Sequence, residues 1–471
     1  MKEAVHIASG NLLIYLKGLT LMKRKSTCKY TIPIMLLTLA MTAGCGSNSN
    51  SSGGAASVTA PSVTSGGQTS GTGSVNQSEL SNASSPSSNN TSTGSLPSST
   101  GSEKPAEQQI QTMLTDVSLL GDQLGYAWGV TAKELKMYRT EDAGVKWTAV
   151  SPPADGHSFE ASPRDNSGIY VLDRDHMWVF QPGQNDGKSQ MLRTKDGGKS
   201  WQTADLPNTV RAIGLYFINP NHGWLLSSSD AAMGKSEKSL YVTEDGGASW
   251  KQIMENTGYL PTDNPTPQAI PQSGYSRGMS FRDALNGFVP LETIDGKLQL
   301  YGTRDGGHSW SLVALQEIPG ETNDINYAIS AAPQFWGADR MKGWFPITVR
   351  GKDTQYFDGF FTTDGGQTWT FTPLNTVPVD LVSKSYDITF INDKEGWYLK
   401  DGGFSHTMDG GTTWKRIAED PVLAGAFKTF PYAIRMEFTE KGTGWLLLRN
   451  EEATGSRLLQ TKDGGSTWQL L

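Results

Sequence analysis

Seven aspartates recur in one frame, Thr-x-Asp-x-Gly-x-x-Trp: Asp142, Asp196, Asp245, Asp305, Asp364, Asp409 and Asp463. Repeated carboxylates are raw material for a metal site or for general acid–base chemistry. Their spacing argues otherwise. From Asp142 to Asp463 is 321 residues over six intervals, 53.5 per unit, and identical residues at identical places in a repeat lie far apart, each serving its own turn. An Asp caps a tight turn by accepting backbone N–H groups. The Gly two residues later is present all seven times and marks a position of positive φ. The middle residue is Gly in six units and Ala143 in the first, so its demand reads as weaker. The residue before each Asp varies freely (Glu141, Lys195, Glu244, Arg304, Thr363, Met408, Lys462), as a solvent-facing position would. The seven Asp are therefore expected to be structural, and no metal or cofactor is expected. With only six His, no Ser/His/Asp set, phosphate loop or His-rich cluster stands out, and two Cys exclude a disulfide framework. A glycosidase pair formed by two acidic residues on opposite loops stays open.

Tryptophan shows what must position these turns. Of 14 Trp, seven end the Asp motif. Six more (Trp128, Trp178, Trp224, Trp344, Trp397, Trp445) follow an earlier turn, usually after Gly; in the fourth unit Gly287-Phe288 stands there. Phe217, Phe281, Phe390 and Phe438 each lie six residues before that Gly. Trp336 falls outside both positions and is expected, beside Phe335, to fill the same anchor in the fifth unit. Short alternating apolar runs punctuated by Gly, Asn and Asp read as strands throughout. In the third unit these are 213–217, 224–227, 240–243 and 250–253. Four-stranded units of this length stacked around an axis are propeller blades. The fold predicted is all-β, a seven-bladed β-propeller of four-stranded antiparallel blades over 105–471, about 52 residues per blade. The repeats are in phase, with 107–114 free to pair with the last blade.

The sevenfold Thr-x-Asp-x-Gly-x-x-Trp pattern resembles the Asp-box, or bacterial neuraminidase repeat. A single seven-bladed domain that pairs Gly-Trp with Thr-x-Asp-Gly-Gly-x-x-Trp looks like the photosystem II stability/assembly-factor family, whose relatives include many bacterial lipoproteins. The resemblance implies turns that sit away from the binding face and a basic patch that contacts membrane-protein clients. Residues 105–471 carry 33 basic and 44 acidic groups, which departs from such a patch. Asp-box sialidases carry an arginine triad and an early Phe/Tyr-Arg-Ile-Pro, which is missing here; Asp-box xyloglucan hydrolases resemble two packed propellers, and this chain has room for one.

The first hundred residues read as address and tether. Basic Met22-Lys23-Arg24-Lys25 precedes the apolar stretch Tyr30 to Ala43, too short for a membrane span. Thr42-Ala43-Gly44-Cys45 resembles a bacterial lipobox, which implies lipidation of Cys45; translation starts at Met1 or Met22. From Gly46 to Lys104, 42 of 59 residues are Ser, Gly, Thr or Asn, with no aromatic, a composition that cannot offset its ordering entropy. The domains expected are a signal over 1–44, a lipid-bearing Cys and disordered tether over 45–104, and the propeller over 105–471.

Function is expected on the face opposite the Asp turns, where the loops are long. Arg277, Arg435, Tyr275, Tyr386, Tyr432 and Trp336 are the candidate binding residues. The formal net charge of −7 argues against nucleic acid as a partner. The reading is a monomeric, non-catalytic, extracytoplasmic protein, lipid-anchored to the bacterial cell membrane, that binds a protein or envelope component. The alternatives are a carbohydrate-binding protein or an atypical glycoside hydrolase, and a surface scaffold with no discrete ligand.

Overall fold

A computed structural model describes residues 110, 112–159, 161–183, 187–207, 210–229, 234–256, 268–320 and 325–471. The signal, Cys45 and the tether lie outside the described residues. The described residues belong to one compact unit. It contains seven antiparallel sheets, each made of consecutive strands, so the chain is a seven-bladed β-propeller. The blades run Asp116–Ala149, Ile169–Asp205, Ala212–Asn256, Tyr275–Val313, Asn326–Asp380, Tyr386–Arg416 and Tyr432–Leu470. The third blade shows the pattern: Ala212–Phe217, Gly223–Ser228, Lys238–Thr243 and Lys251–Asn256, within one to three residues of the strands read from sequence. One element was not expected. A helix, Pro421–Thr429, sits between blades 6 and 7, started by Asp420, whose carboxylate accepts from Leu423 N at 2.8 Å, with Pro in its first turn.

The blades are held together by an aromatic unit that joins the two Trp motifs. Phe217 stacks on Trp178 of the preceding blade (3.6 Å, 9°) and meets Trp250 of its own blade edge-on (6.0 Å, 82°). Phe281 does the same with Trp224 and Trp310, and Phe438 with Trp397 and Trp468. Such pairs add about 0.5–1.5 kcal/mol each beyond area burial. The Gly before the second-strand Trp is dictated by the same ring: a Cβ on Gly223 would lie 2.4 Å from Phe217. In blade 5 the anchor is Phe335, which pairs with Gly343 and meets Trp369 edge-on. Trp336 is one residue further on, opposite Lys342, and is not the anchor; a period-two strand cannot put both residues on one face.

Each Asp turn is a closed hydrogen-bond unit. In the third blade Thr243 Oγ1 donates to Asp245 Oδ1 (2.9 Å) and accepts from Gly247 N (2.8 Å). Asp245 Oδ1 also accepts from Ser249 N, and Oδ2 from Ser249 Oγ (2.6 Å). The hydroxyl contact recurs at Ser200, Ser309, Thr368, Thr413 and Thr467; the first blade has Lys146 there and keeps the backbone bond. Both turn residues after Asp are left-handed, Gly246 at φ 69° and Gly247 at 83°, and Ala143 adopts φ 59°. The middle position is thus as constrained as the last, and Ala143 bears a strain of roughly 1–2 kcal/mol. Its carbonyl accepts a side-chain bond from the neighbouring blade in several units. Trp178, Trp224 and Trp397 donate Nε1–H to Gly246, Gly306 and Gly464 of the following blade, each at 2.9 Å. Arg139, Arg282 and Gln460 make the equivalent bond to Gly197, Gly365 and Ala143.

Among the described residues the ring closes between blades 7 and 1 through side chains, with no strand shared between the two sheets. Leu114, Val117 and Ala127 pack on Trp445, Leu447 and Leu458. Leu114 N donates to Ser456 Oγ (2.7 Å) outside any strand, and 107–109 and 111 of the segment expected to pair with the last blade lie outside the described residues.

Candidate functional site: the central channel

The first strands of the blades line the axis, and their register is fixed by the anchors Leu119, Val171, Phe217, Phe281, Phe335, Phe390 and Phe438, each paired with the residue that opens the second strand or, for Phe335, with Gly343 one residue into it. Three residues before each anchor stand Asp116, Gly168, Gly214, Gly278, Ala332, Asp387 and Arg435. One half of the ring, blades 6, 7 and 1, therefore carries charge, and the other half carries Gly and Ala. A cavity of about 910 Å³ occupies the charged half. Its lining includes Ser118, Trp336, Asp387, Thr389, Arg435 and Glu437.

Arg435 organises this half. Its Nε lies 3.1 Å from Asp116 Oδ1 and 3.4 Å from Glu437 Oε1, and its Nη2 lies 2.8 Å from Asp165 Oδ2. The carboxylates are also held by backbone: Asp116 accepts from Val117 N and Asp165 N, Glu437 from Leu119 N (2.6 Å), and Asp387 from Ile388 N (2.8 Å). Burial pushes Asp165 and Asp387 up to about 6, and Glu437 up to about 7, against the opposing pull of Arg435. Burial works against the Arg435 charge as well, but the carboxylates of Asp116, Asp165, Glu437 and Asp387 outweigh it and raise its pKa. Because Asp116 belongs to blade 1 and Arg435 to blade 7, the cluster is also a clasp across the closing seam. Below it Lys441 pairs with Asp122 at 2.8 Å.

The opposite side of the axis is filled. Tyr170 and Tyr216 meet at 5.4 Å, and burial raises the pKa of both phenols against the pull of Arg340. Arg340, itself at φ 49°, reaches from blade 5 to the carbonyl of Arg282 at 3.3 Å.

The residues nominated from sequence are not gathered in one place. Arg435 and Trp336 line the channel. Tyr386 packs on Phe357 (5.3 Å). Tyr432 lies between Lys384 (5.1 Å) and Arg449 (4.8 Å). Tyr275 and Arg277 are exposed at the edge of blade 4. Arg277 stands four residues before its anchor and Arg435 three, so the two arginines are not equivalent. Sequence reasoning passed over Asp116, Asp165, Asp387 and Glu437; aligning inner strands on their anchors would have exposed three of them. Among the described residues no group of three or more His, Cys, Asp or Glu could hold a metal.

The chain is similar to several known proteins. The family model for sortilin and neurotensin receptor 3 (Sortilin-Vps10) matches residues 135–270. The chain is 24% identical over 293 residues to the chloroplast photosystem II stability/assembly factor HCF136 of Arabidopsis thaliana, covering 60% of this chain and 62% of that protein. It is 23% identical over 238 residues to the oligoxyloglucan-reducing end-specific xyloglucanase of Emericella nidulans, covering 46% of this chain and 28% of that enzyme. It therefore spans less than two thirds of either relative. Similar solved structures include YCF48 bound to D1 peptide (TM-score 0.45, 17% identity, 75% of this chain and 94% of that one). Another is the GH74 xyloglucanase from Xanthomonas campestris (TM-score 0.49, 17% identity, 76% and 54%). The chain is a seven-bladed β-propeller similar in sequence to a photosystem II stability/assembly factor and to a xyloglucanase.

Proposed function

We propose that this propeller is a non-catalytic binding domain for a protein or envelope component, with the central channel and Trp336 at its wall as the contact. The observation that carries this reading is the engagement of the channel carboxylates. Asp116, Asp165 and Glu437 all face one arginine and accept hydrogen bonds or ion pairs from it or from backbone. A glycosidase instead needs two carboxyl groups turned toward a substrate between them. The sequence similarity to an assembly factor supports the same reading. The lipobox-like Thr42-Ala43-Gly44-Cys45 supports an extracytoplasmic, lipid-anchored placement, with Cys45 as the acylated residue. Changing Cys45→Ala then releases the protein from membranes; continued membrane association would refute the anchor.

The binding reading is tested by placing a photoreactive phenylalanine at position 336 and irradiating native envelopes. A discrete protein adduct, lost when Arg435 is also changed, is expected; no adduct, together with a hit on a glycan array, reverses the reading. That second reading, a glycan-binding or glycoside-cleaving channel, rests on Asp387 and Glu437, whose raised carboxyls line the same cavity as Trp336. A protonated carboxyl near neutral pH is what a general acid requires. Release of reducing ends from xyloglucan oligosaccharides, abolished in Glu437→Gln, would establish it.

A further inference from the structure

Lys238, the first residue of the third strand of blade 3, is completely buried. Five oxygens converge on its Nζ: the carbonyls of Ser236 (3.2 Å), Pro271 (3.0 Å), Gln272 (3.1 Å) and Gly274 (3.0 Å), and the hydroxyl of Ser236 (3.2 Å). Among the described residues no carboxylate lies within ion-pairing distance. Burial alone lowers this ammonium, to about 8, so the group is still a cation at neutral pH.

An ammonium has three protons to share among these five acceptors. Carbonyl dipoles pointed at one another repel, and each is costly to bury unsatisfied. A single positive charge at their centre removes both penalties, which is how a ring of carbonyls replaces the hydration shell of a potassium ion. The oxygens come from two segments. One is the hairpin that leads into Lys238; the other links blade 3 to blade 4. The segments also pair directly, Ser236 N donating to the Gln272 carbonyl (2.9 Å) and Gly274 N to that of Gly234 (3.0 Å). Asn256, opposite Lys238 in the sheet, adds a bond from Nδ2 to the Ile270 carbonyl (2.8 Å). Immediately after this cage come Tyr275 and Arg277, at an exposed edge of blade 4.

We propose that these five oxygens form a monovalent-cation site which the chain fills with its own Lys238 ammonium, and which accepts a free ammonium or potassium ion once that side chain is shortened. The test is thermal unfolding of the full chain carrying Lys238→Ala in the chlorides of lithium, sodium, potassium and ammonium at equal ionic strength. The expected result is a melting temperature several degrees below the parent in lithium, recovered by at least half in potassium or ammonium, while the parent is indifferent to the exchange. Equal melting in all four salts overturns the proposal. So does a Lys238→Met variant as stable as the parent, because the oxygens would then need no cation. Should Lys238→Ala fail to fold, nitrogen-15 lysine spectra of the parent decide: a slowly exchanging, charged Nζ at neutral pH supports the site, and a neutral amine overturns it.

Discussion

The same side chain behaves in opposite ways at the rim and at the axis of this propeller. In the turns, Asp196 is held down to about 2 by the Ser200 hydroxyl and backbone N–H. Asp245 also falls to about 2, burial opposing while Ser249 and Thr243 prevail. At the axis Asp165 and Asp387 rise to about 6 and Glu437 to about 7, because burial exceeds what Arg435 returns. The rim gives each carboxylate its own donors within a few residues of chain, so it recurs in all seven blades, with only the hydroxyl donor missing from the first. The axis makes several carboxylates share one guanidinium, most of them across blade boundaries, and only one half of the ring carries charge there. Repetition marks the scaffold; departure from it marks the place where a particular molecule can be recognised.

If that division holds, the largest losses of stability come from the repeated positions. Gly307 has φ 102°, and a Cβ there would lie 2.5 Å from Leu240 Cδ2. Gly307→Val combines left-handed strain with a clash against the preceding blade and is expected to cost about 3 kcal/mol, read as a lowered melting temperature. An unchanged melt would mean the turn is not what fixes the blade. Next comes Arg435→Met, which leaves Asp116, Asp165 and Glu437 without their shared cation and loosens the seam between blades 7 and 1. A fully buried pair broken in this way costs about 3–5 kcal/mol. Arg435 keeps 31% of its side chain accessible to channel water, so about 2 kcal/mol is expected at pH 8. The deficit shrinks toward pH 5, where Glu437 and Asp165 take up protons; a deficit independent of pH would separate the clasp from its charges.

The division also explains what could be read without coordinates. Blade number, turn positions and the Trp–Phe partnership were legible because each is spelled several times, and a residue such as Phe281 declares its role by matching Phe217 and Phe438. Trp336 was misassigned because its neighbour Phe335 offers a second aromatic at the anchor, and only the pairing with Gly343 decides between them. The helix 421–429 occurs once, so no repeat announces it, although Asp420-Pro421 is a start signal in itself. The channel was least legible. Asp116, Asp165 and Arg435 are distant in sequence and become neighbours only because the ring closes between its first and last blades. Arg435 also stands three residues before its anchor Phe438 and Arg277 four before Phe281, an offset that shows only when the inner strands are aligned on their anchors.

Two asparagine substitutions give the smallest effects and the sharpest test, because they should differ in sign. Asp387 has a folded-state pKa of about 6, above its ordinary value. The folded protein therefore binds more protons than the unfolded chain between about pH 4 and 6, and ionising Asp387 lowers stability as pH rises through that window. Asp387→Asn keeps an acceptor for Ile388 N and removes the charge, so the variant should exceed the parent by about 1 kcal/mol at pH 8, a gain gone by pH 4. Asp245 has its pKa depressed to about 2, so its stabilisation is present above about pH 4 and is lost as pH falls toward 2. Asp245→Asn should therefore cost stability at pH 7, by less than about 1 kcal/mol at an exposed turn, and match the parent near pH 2. Unfolding both variants across this pH range tests the comparison directly. Curves of the same sign would mean that rim and axis carboxylates are governed by one environment, and that the channel holds no more stored charge than any turn.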